Sequence, residues 1–247
     1  MGRAKEIIVK VIPAKIANEF VKQNHYSGKV VPNSTLHFGC FLDGKLHGVL
    51  SYGPSINKKG TINLVENTGW NEFIELNRMA FDDYLPSNSE SRCIAISIKL
   101  IKKNAPHIKW VISFADGTQC GDGTIYRASG FNLVGIVDNT ALRINPKTGE
   151  AIHVIQAHHL KISNEFRTWK AFKGKQLKYI YLIDKNSKIT VPILPFSKID
   201  EMGAGMYKGQ RVSLQERKQA QEVHQVEQLA SSQKEGGSNP TPALKTS

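Results

Sequence analysis

The stretch CIAISIKLIKKNAPHIKWVISFADGTQCGDGTIYRASGFNLVGIV, residues 93–137, decides the fold class. Isoleucines recur at helical spacing in its first part until Pro106 ends the pattern, and an apolar run typical of a buried strand follows. A short helix that closes on a glycine turn then leads into another apolar strand. The predicted elements are a helix over 93–106, a strand over 109–116, a helix over 121–131 and a strand over 132–137.

The residues before this stretch continue the alternation of strands and helices. Asp43-Gly44 stands between two runs of β-type residues and predicts a tight hairpin. The predicted elements are a strand over 6–13, a helix over 14–26, strands over 35–43 and 46–54, a helix around Trp70 in the loop 55–72, and a strand over 75–81. This order predicts the α/β class, with a mixed α+β sheet in a single domain of residues 1–210.

Composition and charge exclude several classes of protein. The chain has 247 residues, 40% of them hydrophobic, which is enough apolar material for a core. No apolar run approaches the roughly 18 residues of a membrane span, so we expect no membrane association. Three cysteines without metal-site spacing favour the cytoplasm over a disulfide framework. The net charge of +12 suggests a polyanionic partner, most often nucleic acid.

The charge is carried by the predicted domain and not by the C-terminal part. Residues 211–247 are rich in Gln, Glu and Lys and then in small polar residues, which predicts a polar helix followed by a disordered tail. Five basic and four acidic residues give this part a net charge of +1, which leaves +11 for residues 1–210.

Within the domain, residues 161–188 combine many basic residues with aromatic ones. Basic side chains neutralise phosphates and aromatic faces stack on exposed bases, so this segment is a candidate DNA-binding surface. The alternative is that the aromatic residues are core and the lysines form a solvated rim. The candidate DNA-binding residues are Trp169, Lys170, Lys173, Lys175 and Lys178.

GTIYRASGF, residues 123–131, resembles the last conserved segment of GNAT-type acyltransferases. The resemblance implies that Tyr126 acts as a general acid toward the leaving group, although a tyrosine on a short helix also serves as packing. At the position of that superfamily's glycine-rich coenzyme A loop stands LPSNSESRCIAI, residues 85–96, which departs from the pattern. Ser89, Ser91 and Arg92 are candidates for binding the donor there, or else only cap a helix.

A closer resemblance covers residues 1–210. HYSGKVVPNS (25–34), GWNEFIELNRMAF (69–81), NSESRCIAI (88–96) and FADGTQCGDGTIYRASGF (114–131) are similar to the Mom family of phage DNA-modification proteins. The resemblance implies a divergent GNAT-like domain with extra C-terminal strands. It also implies conversion of adenine in phage DNA to a carbamoylmethyl derivative on the exocyclic amine, in the host cytoplasm, which protects the DNA from host restriction.

The resemblance extends to site residues, each of which also has a structural interpretation. A helix cap, a partner for a buried carboxylate, a helix terminus and a turn are the alternatives for these positions. Metal binding by His25, Tyr26 and Asp116, for example to iron, is a weaker prediction. The candidate residues are His25, Tyr26, Arg78, Ser91, Asp116 and Tyr126.

The implied product constrains the donor. A carbamoylmethyl group contains two carbons and an additional nitrogen, and acetyl-CoA does not supply that nitrogen. We therefore expect an aminoacyl donor such as glycyl-tRNA, with acetyl-CoA as the alternative, and double-stranded DNA as substrate with the target adenine flipped out. The competing hypotheses are an ordinary GNAT acetyltransferase that acts on a protein or small amine, and a noncatalytic DNA-binding protein.

Overall fold

A seven-stranded mixed sheet forms the centre of the molecule. The computed structural model describes residues 3–117, 123–139, 141–172, 174–203, 206–207 and 210–211. Within these residues the sheet order is β1-β2-β3-β4-β5-β9-β6, and every neighbouring pair is antiparallel except β4–β5. Its strands are β1 Ile8–Val11, β2 Leu36–Leu42, β3 Lys45–Gly53, β4 Phe73–Phe81, β5 Trp110–Asp116, β6 Asn132–Asp138 and β9 Lys175–Leu182. The predicted mixed α/β sheet is confirmed.

Helices cover both faces of this sheet. The apolar side of α1 packs through Ala17 and Val21 on Val49 and Ala80 of one face. On the other face, α3 buries Ile94, Ile98 and Ile101 in the largest core cluster. The helices are α1 Ala14–Asn24, α2 Lys58–Thr61, α3 Ser89–Asn104, α4 Thr124–Ala128, α5 Val154–His159, α6 Ser163–Thr168 and α7 Ser197–Glu201, with 3₁₀ turns at Arg3–Glu6 and Ile62–Leu64.

The residues between β6 and β9, 139–174, form an appendage that we call the insert. It contains the hairpin β7 Leu142–Ile144 and β8 Ala151–His153, followed by α5 and α6. A small core of its own joins these elements, with four buried members: Ile152, Ala157, Phe166 and Trp169. The chain then returns into the main sheet, where β9 lies between β5 and β6.

The structure confirms the predicted hairpin, contradicts one predicted helix and extends another. The hairpin at Asp43-Gly44 is confirmed, and both residues have positive φ, 51° and 76°, as a type I′ turn requires. The predicted helix around Trp70 is wrong, because Trp70 lies in a turn and the helix of this loop is α2, further upstream. The central helix begins at Ser89, four residues before its apolar periodicity, because its first turn is polar.

The predicted tail lies outside the described residues from residue 212 onward. A last short hairpin, β10 Met206–Tyr207 and β11 Gln210–Arg211, precedes it. No helix in the described part of the chain combines the length and the apolar character needed to cross a membrane.

Candidate active site

The two parallel strands of the sheet separate at their carboxyl ends. Pairing between β4 and β5 runs from Phe73 opposite Trp110 to Leu76 opposite Ser113 and ends there. Both strands continue for several residues beyond this point. A crevice outside the carboxyl ends of adjacent parallel strands is a common ligand site in α/β proteins.

A β-bulge in β4 determines which side chains face this crevice. Arg78 pairs with Ser51 but Leu76 pairs with Tyr52, so Asn77 is an extra residue in β4. In a regular strand Glu75 and Arg78 would point to opposite faces. The bulge returns both to the α1 face of the sheet.

Arg78 is held by backbone acceptors on both sides. Its Nε donates to the Lys29 carbonyl at 2.9 Å and its Nη1 donates to the Asn77 carbonyl at 2.9 Å. Burial lowers the pKa of Arg78, but a guanidinium stays protonated at neutral pH. Three neighbours favour its charged form electrostatically: Tyr26, Glu75 and Tyr126.

His25 and Tyr26 follow the end of α1 and adjoin this guanidinium. Burial, and then the charge of Arg78, lower the pKa of His25 to about 4. Its Nδ1 lies 2.8 Å from Ser27 Oγ, and its ring centroid lies 4.2 Å from that of Tyr26. His25 is therefore neutral at pH 7, and its pKa is too low for an efficient general base there.

Glu75 is a site residue that the sequence did not reveal. Burial raises its pKa above the usual value for glutamate, while hydrogen bonds from Ser55 and the Ile56 amide and the charge of Arg78 oppose that rise. In a regular strand a separation of three residues puts two side chains on opposite faces, so only the bulge brings Glu75 to the face of Arg78.

Tyr126 lies at the point where the strands separate. Its hydroxyl is 2.9 Å from Ser113 Oγ, which is also 2.8 Å from the Leu76 carbonyl. Its ring stacks on Tyr179 with centroids 4.8 Å apart. Gly123, which precedes α4 with φ of 66°, permits this arrangement because a Cβ there would overlap the Tyr179 phenol.

Asp116 is the last residue of β5 and is half-buried. Alternation places it on the same face as Ile112 and Phe114, which is also the face of Glu75 and Arg78. The structure thus places His25, Tyr26, Glu75 and Tyr126 near the Arg78 guanidinium. Asp116 lies at the carboxyl end of β5, on the same face as Arg78.

The candidate donor residues divide into two groups. Ser89 is completely buried and its hydroxyl donates to the Pro86 carbonyl, so the prediction that it contacts the donor is wrong. Ser91 and Arg92 line a cavity of about 410 Å³ between α3 and the end of α4. Arg92 Nη2 donates to the Lys5 carbonyl at 3.1 Å, whereas its buried Nε has no hydrogen-bond partner within the described residues.

The candidate DNA-binding residues are also separated by the structure. Trp169 is 6% exposed and packs against Phe166, so the prediction of a base-stacking role is wrong in this conformation. Lys175 forms an ion pair with Asp138 at 2.6 Å. Lys170 is exposed and Lys178 is half-buried on β9. The side chain of Lys173 lies outside the described residues.

The geometry gives no support to the predicted metal site. No group of three or more His, Cys, Asp or Glu side chains lies close enough to hold a metal ion in the part of the chain that the structure describes. His25 also adjoins the Arg78 cation, which opposes a second positive charge. Iron binding by His25, Tyr26 and Asp116 stays a prediction.

Sequence comparison identifies the family. Residues 6–198 match the model of the Mom protein family. The chain belongs to the Mom protein family. Methylcarbamoylase mom of Escherichia phage Mu is 34% identical to it over 194 residues, which cover 75% of this chain and 79% of the relative. Membership of the Mom family identifies the chain as an enzyme that transfers a group, as the sequence predicts.

Solved acetyltransferase structures show a distant similarity to this Mom family member. The IAA acetyltransferase from Bacillus cereus is 10% identical with a TM-score of 0.44, over 71% of this chain and 99% of the other. A spermidine/spermine N-acetyltransferase from Vibrio cholerae is 7% identical with a TM-score of 0.45, over 74% and 95% of the two chains.

Proposed function

We propose that this Mom family member modifies adenine in phage DNA by placing a carbamoylmethyl group on the exocyclic amine, and so protects that DNA from host restriction. The observation that carries the proposal is that Tyr26, Glu75 and Tyr126 all lie within electrostatic reach of Arg78 where β4 and β5 separate. The similarity to the phage Mu methylcarbamoylase supports the reaction class.

The target amine needs a general base. The lone pair of an adenine amine is delocalised into the ring, so removal of a proton during attack lowers the barrier. Glu75 is a better candidate for this base than His25, because the pKa of Glu75 is raised above the usual glutamate value and that of His25 is lowered to about 4. Asp116 is the second candidate carboxylate. The raised pKa of Glu75 brings it closer to the operating pH than an ordinary glutamate.

Tyr126 and Arg78 act on the donor, whereas the general base acts on the adenine amine. An attack on a donor carbonyl develops negative charge on its oxygen, and the Arg78 guanidinium is a fixed cation that stabilises this charge. The Tyr126 hydroxyl is positioned by Ser113 to protonate the departing oxygen of the donor's carrier. These roles of Tyr126 and Arg78 require the donor carbonyl and the target adenine to meet in the opening between β4 and β5.

A glycyl ester satisfies the composition of the product. When the adenine amine attacks the ester carbonyl, a carbon–nitrogen bond forms and the carbon–oxygen bond breaks, so the carrier leaves as an alcohol. The resulting glycyl amide is an isomer of the carbamoylmethyl product. Attack of the glycyl amine on the ring carbon, with cleavage of that carbon's bond to the original amine and transfer of one proton, completes the conversion without loss or gain of atoms.

Donor and target reach the opening from different sides. The cavity at Ser91 and Arg92 adjoins α4, which carries Tyr126, and its cationic side chains suit a phosphate-bearing carrier such as tRNA. An adenine paired within a duplex keeps its amine inside the stack, so the base must be extruded into the opening.

Reconstitution with single donors tests this function. Purified protein and duplex DNA are incubated with glycyl-tRNA alone or with acetyl-CoA alone, and the nucleosides are analysed by mass spectrometry. We expect carbamoylmethyl-deoxyadenosine only with glycyl-tRNA. The same product with acetyl-CoA alone would contradict the donor assignment, and acetylated protein or polyamine without modified DNA would support the ordinary acetyltransferase instead.

A further inference from the structure

The insert contains a second cavity, apart from the opening between β4 and β5. Its volume is about 590 Å³ and it is formed by the hairpin β7–β8 together with α5 and α6. The charged, polar and aromatic side chains that line it are Arg143, His158, Ser163, Phe166 and Arg167. Two guanidinium groups and an imidazole in one cavity favour an anionic ligand.

One of the arginines is held in place. Arg143 Nη1 donates to the Trp169 carbonyl at 2.6 Å, and its guanidinium carbon lies 5.8 Å from the centre of the buried Phe166 ring. One of the five N–H groups of this side chain is used by that bond. A guanidinium whose orientation is already fixed loses little entropy when it binds a phosphate.

The side chains of Arg167 and His158 are accessible to a ligand in this cavity. Arg167 and His158 are exposed, and neither side chain has a hydrogen bond or ion pair to another described residue. The acidic neighbour of Arg167 in sequence, Glu165, lies 4.0 Å from Lys147 instead. The insert carries six Lys and Arg against two Glu, a net charge of +4.

The cavity also stands beside the candidate active site. Lys29, in the loop after α1, donates through its ammonium group to Gln156 of α5. The carbonyl of the same lysine accepts the Nε hydrogen of Arg78. Two consecutive contacts thus connect the helix that carries His158 with the guanidinium at the opening between β4 and β5.

We propose that the insert cavity binds a backbone phosphate of the DNA strand that carries the target adenine. The choice of DNA as the ligand rests on the proposed function. Arg167 and Phe166 belong to the segment 161–188 that the sequence suggested, but the site is the insert cavity and not the lysines of that segment. Arg143 and Arg167 bind the phosphate oxygens, and Phe166 forms the apolar floor of the cavity. Such a contact fixes the position of the strand and carries no base specificity.

Salt titration of DNA binding tests the cavity directly. The dissociation constant of the full chain for duplex DNA is measured between 50 and 300 mM salt (roughly the range in which counterion release dominates) for the wild type, Arg167→Gln, Arg167→Lys and Lys147→Gln. Lys147→Gln is the matched control, because it removes the same charge from the insert and lies outside the cavity.

Each phosphate contact contributes about 0.9 to the slope of log K against log salt. We expect Arg167→Gln to lower that slope by about 0.9 and to weaken binding about fivefold. Arg167→Lys should retain the wild-type slope, and Lys147→Gln should do the same. An unchanged slope in Arg167→Gln, or an equal loss in Lys147→Gln, would overturn the proposal.

Two further measurements distinguish a failure of the phosphate site from a failure of the proposed function. If Arg167→Gln lowers the slope as expected but the wild type leaves adenine unmodified in the reconstituted reaction, the phosphate site is supported and the proposed function fails. If the slope changes only for a structured RNA and not for duplex DNA, the assignment of the cavity to DNA fails.

Discussion

The position of the Tyr126 hydroxyl results from three separate constraints. Ser113 lies within hydrogen-bond distance at 2.9 Å, Tyr179 stacks on the ring, and Phe131 packs against its edge with centroids 5.4 Å apart. With 8% of its surface exposed, the residue is nearly enclosed, yet Arg78 lies within its electrostatic reach. A tyrosine that served only as packing would have no need for this cation.

Replacement of Tyr126 by phenylalanine tests its role as an acid. The change keeps the ring and its stacking on Tyr179 but removes the hydroxyl, so we expect adenine modification to fall by a factor of about 10² or more. DNA affinity should be unchanged. Tyr84→Phe is the control, because it removes the exposed hydroxyl that donates to Asp43. Equal activity in wild type and Tyr126→Phe would exclude the general-acid role.

The pKa of His25 predicts a specific dependence of stability on pH. The folded-state pKa is about 4 against 6.5 for the free side chain, so the unfolded chain binds the extra proton between these values. The contribution of neutral His25 to the free energy of unfolding is therefore present above pH 6.5. It is lost as the pH falls toward 4, by up to about 3 kcal/mol.

Denaturant unfolding at several pH values measures this contribution. We expect His25→Gln to flatten the fall in the free energy of unfolding between pH 6.5 and pH 4, relative to the wild type. His107→Gln, at an exposed position, should leave that fall unchanged. The same pH dependence in His25→Gln as in the wild type would mean that His25 is not desolvated in the folded protein.

Among the elements, α4 depends most on a single backbone position. Gly123 has φ of 66°, and a Cβ at this residue would overlap Tyr179. Gly149 has a similar φ of 74° with open space around it, so it provides a matched control. An alanine at either position has the backbone penalty of about 1–2 kcal/mol, but only the first also displaces the stacked tyrosines.

We expect Gly123→Ala to lower both stability and activity, and Gly149→Ala to lower stability alone. Thermal unfolding and nucleoside analysis of modified DNA measure the two effects. If both variants retain full activity at a temperature where they are folded, the position of α4 is not a determinant of catalysis.

Elements differ in how far the sequence predicts them. The Asp43-Gly44 hairpin and the helix containing Ile94, Ile98 and Ile101 follow from local turn chemistry and periodicity. The bulge at Asn77 depends on the pairing of β4 with β3, which no local pattern in β4 records. The resemblance to the Mom family predicts Arg78 as a site residue, whereas only the bulge brings Glu75 to the same face.

The aromatic residues of the insert show the same limit. Phe166 and Trp169 alternate with basic residues in the sequence, a pattern that suits both a nucleic-acid surface and a small core. The hairpin β7–β8 decides between the two, because it covers these rings and leaves charged side chains on the outside. Burial of this kind depends on contacts between distant parts of the chain.

At the scale of the whole molecule, charge and catalysis share the same part of the chain. Residues 1–210 have a net charge of +11, and the main sheet, the insert and both cavities lie within them. The insert joins the main sheet at β6 and β9 and contacts the loop after α1 through Lys29. This arrangement places a basic appendage beside the opening between β4 and β5.

The most direct test of the account is nucleoside mass spectrometry of DNA from cells that express this protein. We predict carbamoylmethyl-deoxyadenosine in DNA from cells with the wild-type chain. Cells with Tyr126→Phe at the same protein level should contain only traces of it. Unmodified adenine in both, or the same modified fraction in both, would contradict the assignment of the reaction to the opening between β4 and β5.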